Sequence, residues 1–146
     1  MKLTTRGHYS VKAMLDLTMH LDKPPQSIRV IARRQNIPQH YLEQLLICLR
    51  KDGLVRSVRG AQGGYCLARP PGRISLGRVL AAVGDTIEPL VKVDRSGQPE
   101  DWVTFALWLR IHRRMLDVLE DITLEDLYYD TRSHQAAQGE EGSFIV

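Results

Sequence analysis

Cysteine is scarce in this 146-residue sequence, which contains only Cys48 and Cys66, far apart and outside any CxxC pair. That scarcity excludes a disulfide framework and a self-sufficient zinc knuckle. Long apolar runs are lacking too, since no segment approaches the roughly 20 apolar residues that cross a bilayer. The first residues also lack the apolar core of a signal peptide. We therefore expect a cytoplasmic protein with no membrane contact.

A set of catalytic residues is lacking as well. An enzyme needs a convergent nucleophile and base, or paired carboxylates on one face of an element. The acidic residues instead scatter over the C-terminal part of the chain. We predict that the protein is not an enzyme.

The sequence does contain a strong charge asymmetry. Residues 1–80 hold 14 Lys and Arg against 4 Asp and Glu, a net charge of +10, and residues 81–146 hold 6 against 13, a net charge of −7. A basic domain attracts phosphate polyanions, whereas an acidic one repels them and is better suited to protein contacts. The alternative is that the charges only solubilise two faces.

Cap and turn residues divide the first fifty residues into three predicted helices. Apolar residues recur at helical spacing from about His8 to His20. Ser27 can cap a second helix, which stops at Asn36-Ile37-Pro38 because the residue before a proline disfavours helix. A third helix is predicted from Gln39 to Lys51, with Gly53 ending it in a left-handed conformation. Two short helices joined by a tight turn are typical of a helix-turn-helix unit, although any three-helix core has this pattern.

Two short strands are predicted next, Leu54–Val58 and Tyr65–Ala68, around a glycine-rich loop that carries Arg59 and Gly60. Glycine lets a backbone approach a phosphate or enter the minor groove, and arginine supplies the charge that a narrow groove favours. A nucleotide-phosphate loop is the rival interpretation, but the GxxxxGKS/T pattern is missing and a strand follows instead of a helix. This segment therefore predicts a β-wing.

The rest of the chain is predicted to be helical up to a polar tail. Ser75 can cap a fourth helix that ends at Gly84, and Thr123 and Asp126 can cap a short helix that ends at Tyr129. The fold class is mainly α, with a two-stranded wing and a long C-terminal dimerisation helix. The predicted regions are a winged helix-turn-helix DNA-binding domain over 1–84, a linker loop over 85–100, the long helix and the short one over 101–130, and a disordered tail over 131–146.

The long helix, predicted from Asp101 to Asp121, carries an apolar and aromatic stripe. Exposed aromatics at this spacing are costly in a monomer, so we expect the stripe to pack against the same helix of a second subunit. The alternative is that it packs wholly within one chain. The predicted interface residues are Trp102, Phe105, Trp108, Leu109, His112, Met115, Leu116 and Leu119.

Several runs together resemble one family of regulators. They are MKLTTRGHYSV at 1–11, YLEQL at 41–45, LVRSVRG at 54–60 with GGY at 63–65, and ALW at 106–108 with ITL at 122–124. These runs are similar to the bacterial Rrf2 family, whose members include IscR, NsrR and CymR. The resemblance covers about residues 1–130. It implies a homodimeric winged-helix regulator, often a repressor, that binds a roughly palindromic operator.

The sequence departs from the cluster-binding members of that family. Members resembling IscR carry three cysteines in the loop before the long helix, and IscR adds a histidine just inside that helix. Here the loop has no cysteine, and the last cysteine and the histidine are matched by Trp102 and Phe105, which cannot ligate iron. We therefore expect no metal and no cofactor. An iron-sulfur cluster on unusual ligands such as His8 remains the alternative, and buried structural thiols are the commoner state for Cys48 and Cys66.

Dimerisation would set two recognition helices about one helical turn of DNA apart, so that each enters a major groove. Gln44 can pair with adenine, Glu43 can accept from cytosine, and Arg59 is the strongest candidate for a minor-groove contact. A protein-interaction adaptor that does not bind DNA is the rival function. The predicted contacts with double-stranded DNA are Gln39, His40, Tyr41, Glu43, Gln44, Arg50, Arg59, Gly60, Arg33 and Arg34.

Overall fold

The computed structural model describes residues 3–86 and 97–143 of the chain. Its helices are α1 (Thr5–Met19), α2 (Ile28–Gln35), α3 (Gln39–Lys51), α4 (Leu76–Ala82), α5 (Pro99–Asp121) and α6 (Leu124–Ser143). Strands β1 (Val55–Val58) and β2 (Gly64–Leu67) lie between α3 and α4, and a 3-10 turn, Pro71–Arg73, precedes α4. None of the helices in these ranges is long and apolar enough to cross a membrane. The mainly α fold class with a two-stranded wing is confirmed.

Local cap chemistry sets the ends of the short helices. Ser27 Oγ accepts a hydrogen bond of 3.3 Å from Val30 N at the start of α2, and Ser75 Oγ accepts one of 3.0 Å from Arg78 N at the start of α4. Asn36 ends α2 in the left-handed region, with φ 54°, and Gly53 follows α3 with φ 75°. Because these signals act over a few residues, the predicted bounds of α3 match the structure at both ends.

The sheet is a small antiparallel wing with one extra connection to the helical core. β1 pairs with β2 in a register that runs from Val55 opposite Leu67 to Val58 opposite Gly64. Gln26, just before α2, adds an isolated bridge to Tyr65 through two hydrogen bonds, of 2.9 Å from Gln26 N and 2.8 Å to Gln26 O. A side chain at Gly64 would collide with the Gln26 carbonyl. The wing is therefore anchored to the segment that leads into α2.

One apolar core joins helices α1 to α4, the wing and the start of α6. Its largest fully buried members include Met14, Ile31, Leu42, Leu54 and Leu124. A short bridge between Ser75 and Thr123 also connects the start of α4 to the start of α6. The C-terminal helices are thus packed on the N-terminal domain.

The C-terminal end differs from the prediction. α6 runs from Leu124 to Ser143, whereas we expected a short helix ending at Tyr129 and a disordered tail from residue 131. That prediction was wrong for residues 131–143. Polar composition suggested disorder, but Ala and Gln are good helix formers and one face of α6 contacts α1. Thr131 Oγ1 also donates a 2.8 Å hydrogen bond to Leu127 O within this helix.

The predicted linker falls mainly outside the described residues. Residues 87–96 and 144–146 are not among them, so the structure describes only the ends of the 85–100 loop. α5 begins at Pro99, two residues before the predicted start, because proline suits the first turn of a helix.

Candidate DNA-binding surface

The start of α3 presents polar side chains to solvent while the opposite face of the helix lies in the core. The apolar face buries Leu42, Leu45, Leu46 and Leu49. Burial of this face holds the helix at a defined angle on the domain. The exposed residues at its N-terminal half are Gln39, His40, Glu43 and Gln44.

Tyr41 does not share this exposure. Its ring is half-buried and meets the ring of Tyr9 on α1 edge to face, with centroids 5.6 Å apart. Such a pair stabilises the packing of two helices. Tyr41 was predicted among the DNA contacts because it lies at the start of α3, but its ring is turned toward α1.

Arg33 and Arg34 are neighbours on α2 with different surroundings. Arg34 makes a two-pronged ion pair with Asp16 of α1, of 3.0 Å from Nε and 2.8 Å from Nη2. Gln35 Nε2 adds a 2.8 Å bond to the same carboxylate, whose side chain is only 1% exposed. Arg33 is exposed. The charge of Arg34 is therefore already neutralised by a buried carboxylate, and that of Arg33 faces solvent.

The Arg34 guanidinium also contacts Gln26, the residue whose backbone connects the wing to the start of α2. Its Nη2 donates a 2.7 Å hydrogen bond to Gln26 Oε1, and the backbone of Gln26 pairs with Tyr65 of β2. A continuous polar connection thus runs from Asp16 through Arg34 and Gln26 to the wing.

The basic residues of the wing and of the end of α3 are exposed to solvent. Arg59 and Gly60 lie at the exposed tip of the loop, where Gly63 N bonds to Gly60 O at 2.9 Å and Gly60 has φ 116°. Arg50, at the end of α3, lies 3.4 Å from Ser57 Oγ of β1. This contact places the guanidinium of Arg50 between α3 and the wing.

Arg56 is a basic surface residue that the sequence analysis missed. It is exposed on β1, next to the buried Val55. Its position three residues before Arg59, in a segment already interpreted as basic, was the signal that could have found it.

The predicted stripe on α5 is divided by the fold. His112 and Leu119 are buried within the chain, at 9% and 8% exposure, and Leu119 packs against Gly77 of α4. Phe105, Leu109 and Met115 are half-buried. The exposed members of the stripe are Trp102, Trp108 and Leu116.

A second exposed apolar row on α5 was also missed. It consists of Val103, Ile111 and Val118, of which Val103 is 69% exposed. These residues lie beside the predicted stripe on the helix surface, and their spacing of seven and eight residues was the available signal.

The chain is similar to known transcriptional regulators over most of its length. The family described as Rrf2, iron-dependent transcriptional regulator, matches residues 3–130. The chain belongs to the Rrf2 family. An HTH-type transcriptional regulator of Synechocystis sp. is 54% identical over 147 residues, covering 100% of both chains.

Solved structures of Rrf2 regulators resemble this fold closely. IscR of T. potens has a TM-score of 0.75 at 43% identity, covering 92% of this chain and 91% of that one. CymR of B. subtilis, described as a global cysteine regulator, has a TM-score of 0.79 at 37% identity, covering 88% and 97%. As a member of the Rrf2 family, the chain is a winged helix-turn-helix DNA-binding transcriptional regulator, and the named relatives are regulators, not enzymes.

The iron in the Rrf2 family description raises the question whether this chain can hold a cluster. Among the described residues, no three His, Cys, Asp or Glu side chains are grouped to hold a metal ion. Cys48 and Cys66 are half-buried on α3 and β2. Iron-sulfur clusters are held mainly by several thiolates, and the chain has two cysteines in all. The donor set therefore does not fit the usual cluster.

Proposed function

We propose that the chain acts as a homodimeric repressor that reads a roughly palindromic operator with the start of α3 and with the wing. The observation that carries this proposal is the two-faced character of α3. Its leucines hold it on the core while Gln39, His40, Glu43 and Gln44 face solvent. Amide and carboxylate side chains in this position suit base edges in the major groove, with Gln44 on adenine and Glu43 on cytosine.

In this proposal, the arginines that face solvent contact the DNA phosphates and the minor groove. We place Arg33 and Arg50 on phosphates and Arg59, with Gly60 beside it, in the minor groove. Arg34 receives a different role, because it is bound to Asp16 and Gln26. It positions α2 and the wing relative to α1.

In the proposed dimer, the interface between the subunits sets the distance between their two α3 helices. We assign its interface to α5, the longest helix of the described ranges. The interface consists of the predicted residues other than the buried His112 and Leu119, and we add Ile111 and Val118. A twofold pair of recognition helices separated by about 34 Å matches one turn of B-DNA. An operator on the chromosome implies action in the cytoplasm.

The proposed regulator works without the usual iron-sulfur cluster. The support is the donor set, since Trp102 and Phe105 stand where thiolate and imidazole ligands are expected from the resemblance. His8 is exposed on α1, whereas the two cysteines are half-buried on other elements, Cys48 on α3 and Cys66 on β2.

The direct test is DNA binding by the purified full chain. Duplexes selected from a random library are titrated at several salt concentrations, and fluorescence anisotropy gives the affinity. We expect an enriched sequence with twofold symmetry, and an affinity that falls linearly with log salt as counterions are released. Failure to enrich any sequence at low salt contradicts the proposal. Anaerobic purification followed by iron and sulfide assays tests the cofactor assignment, which stoichiometric iron would overturn.

A further inference from the structure

The structure contains a groove, and none of its lining residues is among the proposed DNA contacts. Its volume is about 490 Å³, within the range of small-molecule sites. One wall comes from the end of α1 and the residues after it, a second from the 70–72 segment after the wing, and a third from the first turns of α6. We call it the tyrosine groove, after Tyr128 and Tyr129.

The walls of the tyrosine groove are largely apolar and aromatic. Met19, Leu21, Pro70 and Pro71 contribute apolar surface, and the two tyrosine rings meet edge to face with centroids 5.5 Å apart. Leu21 is 52% exposed and Tyr129 is 60% exposed. Concave apolar surface left open to water favours a ligand that buries it.

The charge at the groove selects the kind of ligand. Asp22 and Glu125 line it, against a single basic residue, Lys23. Neither carboxylate has a hydrogen bond or an ion pair with any other described residue. Glu125 lies over Gly72, where a side chain would collide with its carboxylate. An excess of negative charge at the groove disfavours phosphate and favours a cation.

We propose that the tyrosine groove binds a small organic cation, an ammonium group joined to an apolar or aromatic body. The ammonium would contact Glu125 and Asp22, and the body would pack on the tyrosine rings and the prolines, where cation–π attraction adds to burial. Such a ligand touches both the winged helix-turn-helix domain, through residues 18–23 and 70–72, and α6. It therefore stabilises the arrangement in which these two parts pack together.

Methionine methyl groups give a readout that does not depend on DNA binding. Met19 lines the groove, whereas Met115 lies on α5 and serves as the internal reference. The full chain with ¹³C-labelled methionine methyls is titrated with 2-phenylethylamine into the millimolar range, where fragments of this size bind. The neutral 2-phenylethanol and the anionic phenylacetate are titrated in parallel. We expect saturable movement of the Met19 signal, strongest with the amine, and little movement of Met115.

Variants separate charge recognition from simple apolar binding. Glu125→Gln and Asp22→Asn together should weaken binding of the amine roughly tenfold and leave that of the alcohol unchanged. Asp117→Asn, an exposed carboxylate on α5, is the matched control and should change neither. The proposal is overturned if the Met19 signal stays still with every probe, as when a partner subunit covers the groove. It is equally overturned if phenylacetate binds as well as the amine.

Discussion

Thr4 and Asp85, 81 residues apart in the sequence, are joined side chain to side chain at the start of α1. Thr4 Oγ1 donates a 2.7 Å hydrogen bond to Asp85 Oδ1, and Thr4 N donates one of 3.3 Å to Oδ2. The same hydroxyl accepts from Gly7 N at 3.1 Å. A carboxylate at a helix N-terminus is favourable, so this contact ties the end of the α4 segment to the first helix of the reading domain.

Gly7→Ala should destabilise the fold, because a methyl group at Gly7 would collide with the Asp85 carboxylate and approach Leu80 at 3.0 Å. We expect a loss of about 1–3 kcal/mol in the free energy of unfolding, measured by urea denaturation. Gly139→Ala on α6 is the control, since a methyl group there meets nothing within 4 Å. It should be neutral or stabilising by up to about 1 kcal/mol. Equal stability of the Gly7 variant and the wild type would contradict the contact.

Asp16→Ala should lower the free energy of unfolding by about 2–4 kcal/mol, because Arg34 and Gln35 lose their shared acceptor. The loss is smaller than for a fully buried pair, since the Arg34 side chain remains 31% exposed. Calorimetry or urea denaturation measures it. Asp16→Ala with Arg34→Ala should cost less than the sum of the two single changes. Additive effects would show that the two residues do not interact.

Arg33→Gln and Arg34→Gln should differ in how DNA affinity depends on salt. Loss of a phosphate contact lowers the slope of log affinity against log salt by about 1, and we expect this for Arg33. The Arg34 change should leave the slope unchanged, because its charge is held by Asp16. Its affinity should still fall, since the Gln26 anchor of the wing loses a partner. Identical slopes for the two variants would place both arginines in the same role.

Arg59→Ala should weaken operator binding by about 1–3 kcal/mol without changing stability, because the side chain lies at an exposed loop tip. Gln62→Ala in the same loop provides the control for loop perturbation. Anisotropy titration on the selected operator measures both variants. An affinity equal to that of the wild type would remove Arg59 from the DNA contacts.

Ile111→Asp should weaken the proposed dimer by about 2 kcal/mol or more, since it places a charge in an apolar interface. Folding of the subunit should be little affected, because Ile111 is 36% exposed in one chain. Asp117→Ala, on another face of α5, is the control. Sedimentation equilibrium gives the dissociation constants, and an unchanged dimer would mean that the second exposed row is not part of the interface.

Much of the winged helix-turn-helix domain was predictable, because the cap and turn residues that set its helix ends act locally. Ser27, Asn36 and Gly53 act within a few residues of the helix ends that they set. The wing likewise follows from two short apolar runs around glycines. For the same reason the fold class and the position of α3 follow from the amino-acid sequence.

The roles of single residues depended on distant partners instead. Arg33 and Arg34 look alike in the sequence, but successive residues on a helix point about 100° apart, and only one of them faces Asp16, 18 residues earlier. The role of Tyr41 likewise depended on a distant partner, because its ring packs on the ring of Tyr9 of α1.

The sequence by itself determined where α2 and α3 begin and end, because caps and turns depend on neighbouring residues, and it determined that the chain has a basic and an acidic half. It placed the start of α1 near His8, whereas the helix begins at Thr5, after a cap residue that Asp85 contacts. Only the tertiary structure decided which part of α5 packs on α4 and which stays open, and that α6, which contacts α1, continues to Ser143. Burial depends on which surfaces meet in space, and that is settled by the packing of the whole chain.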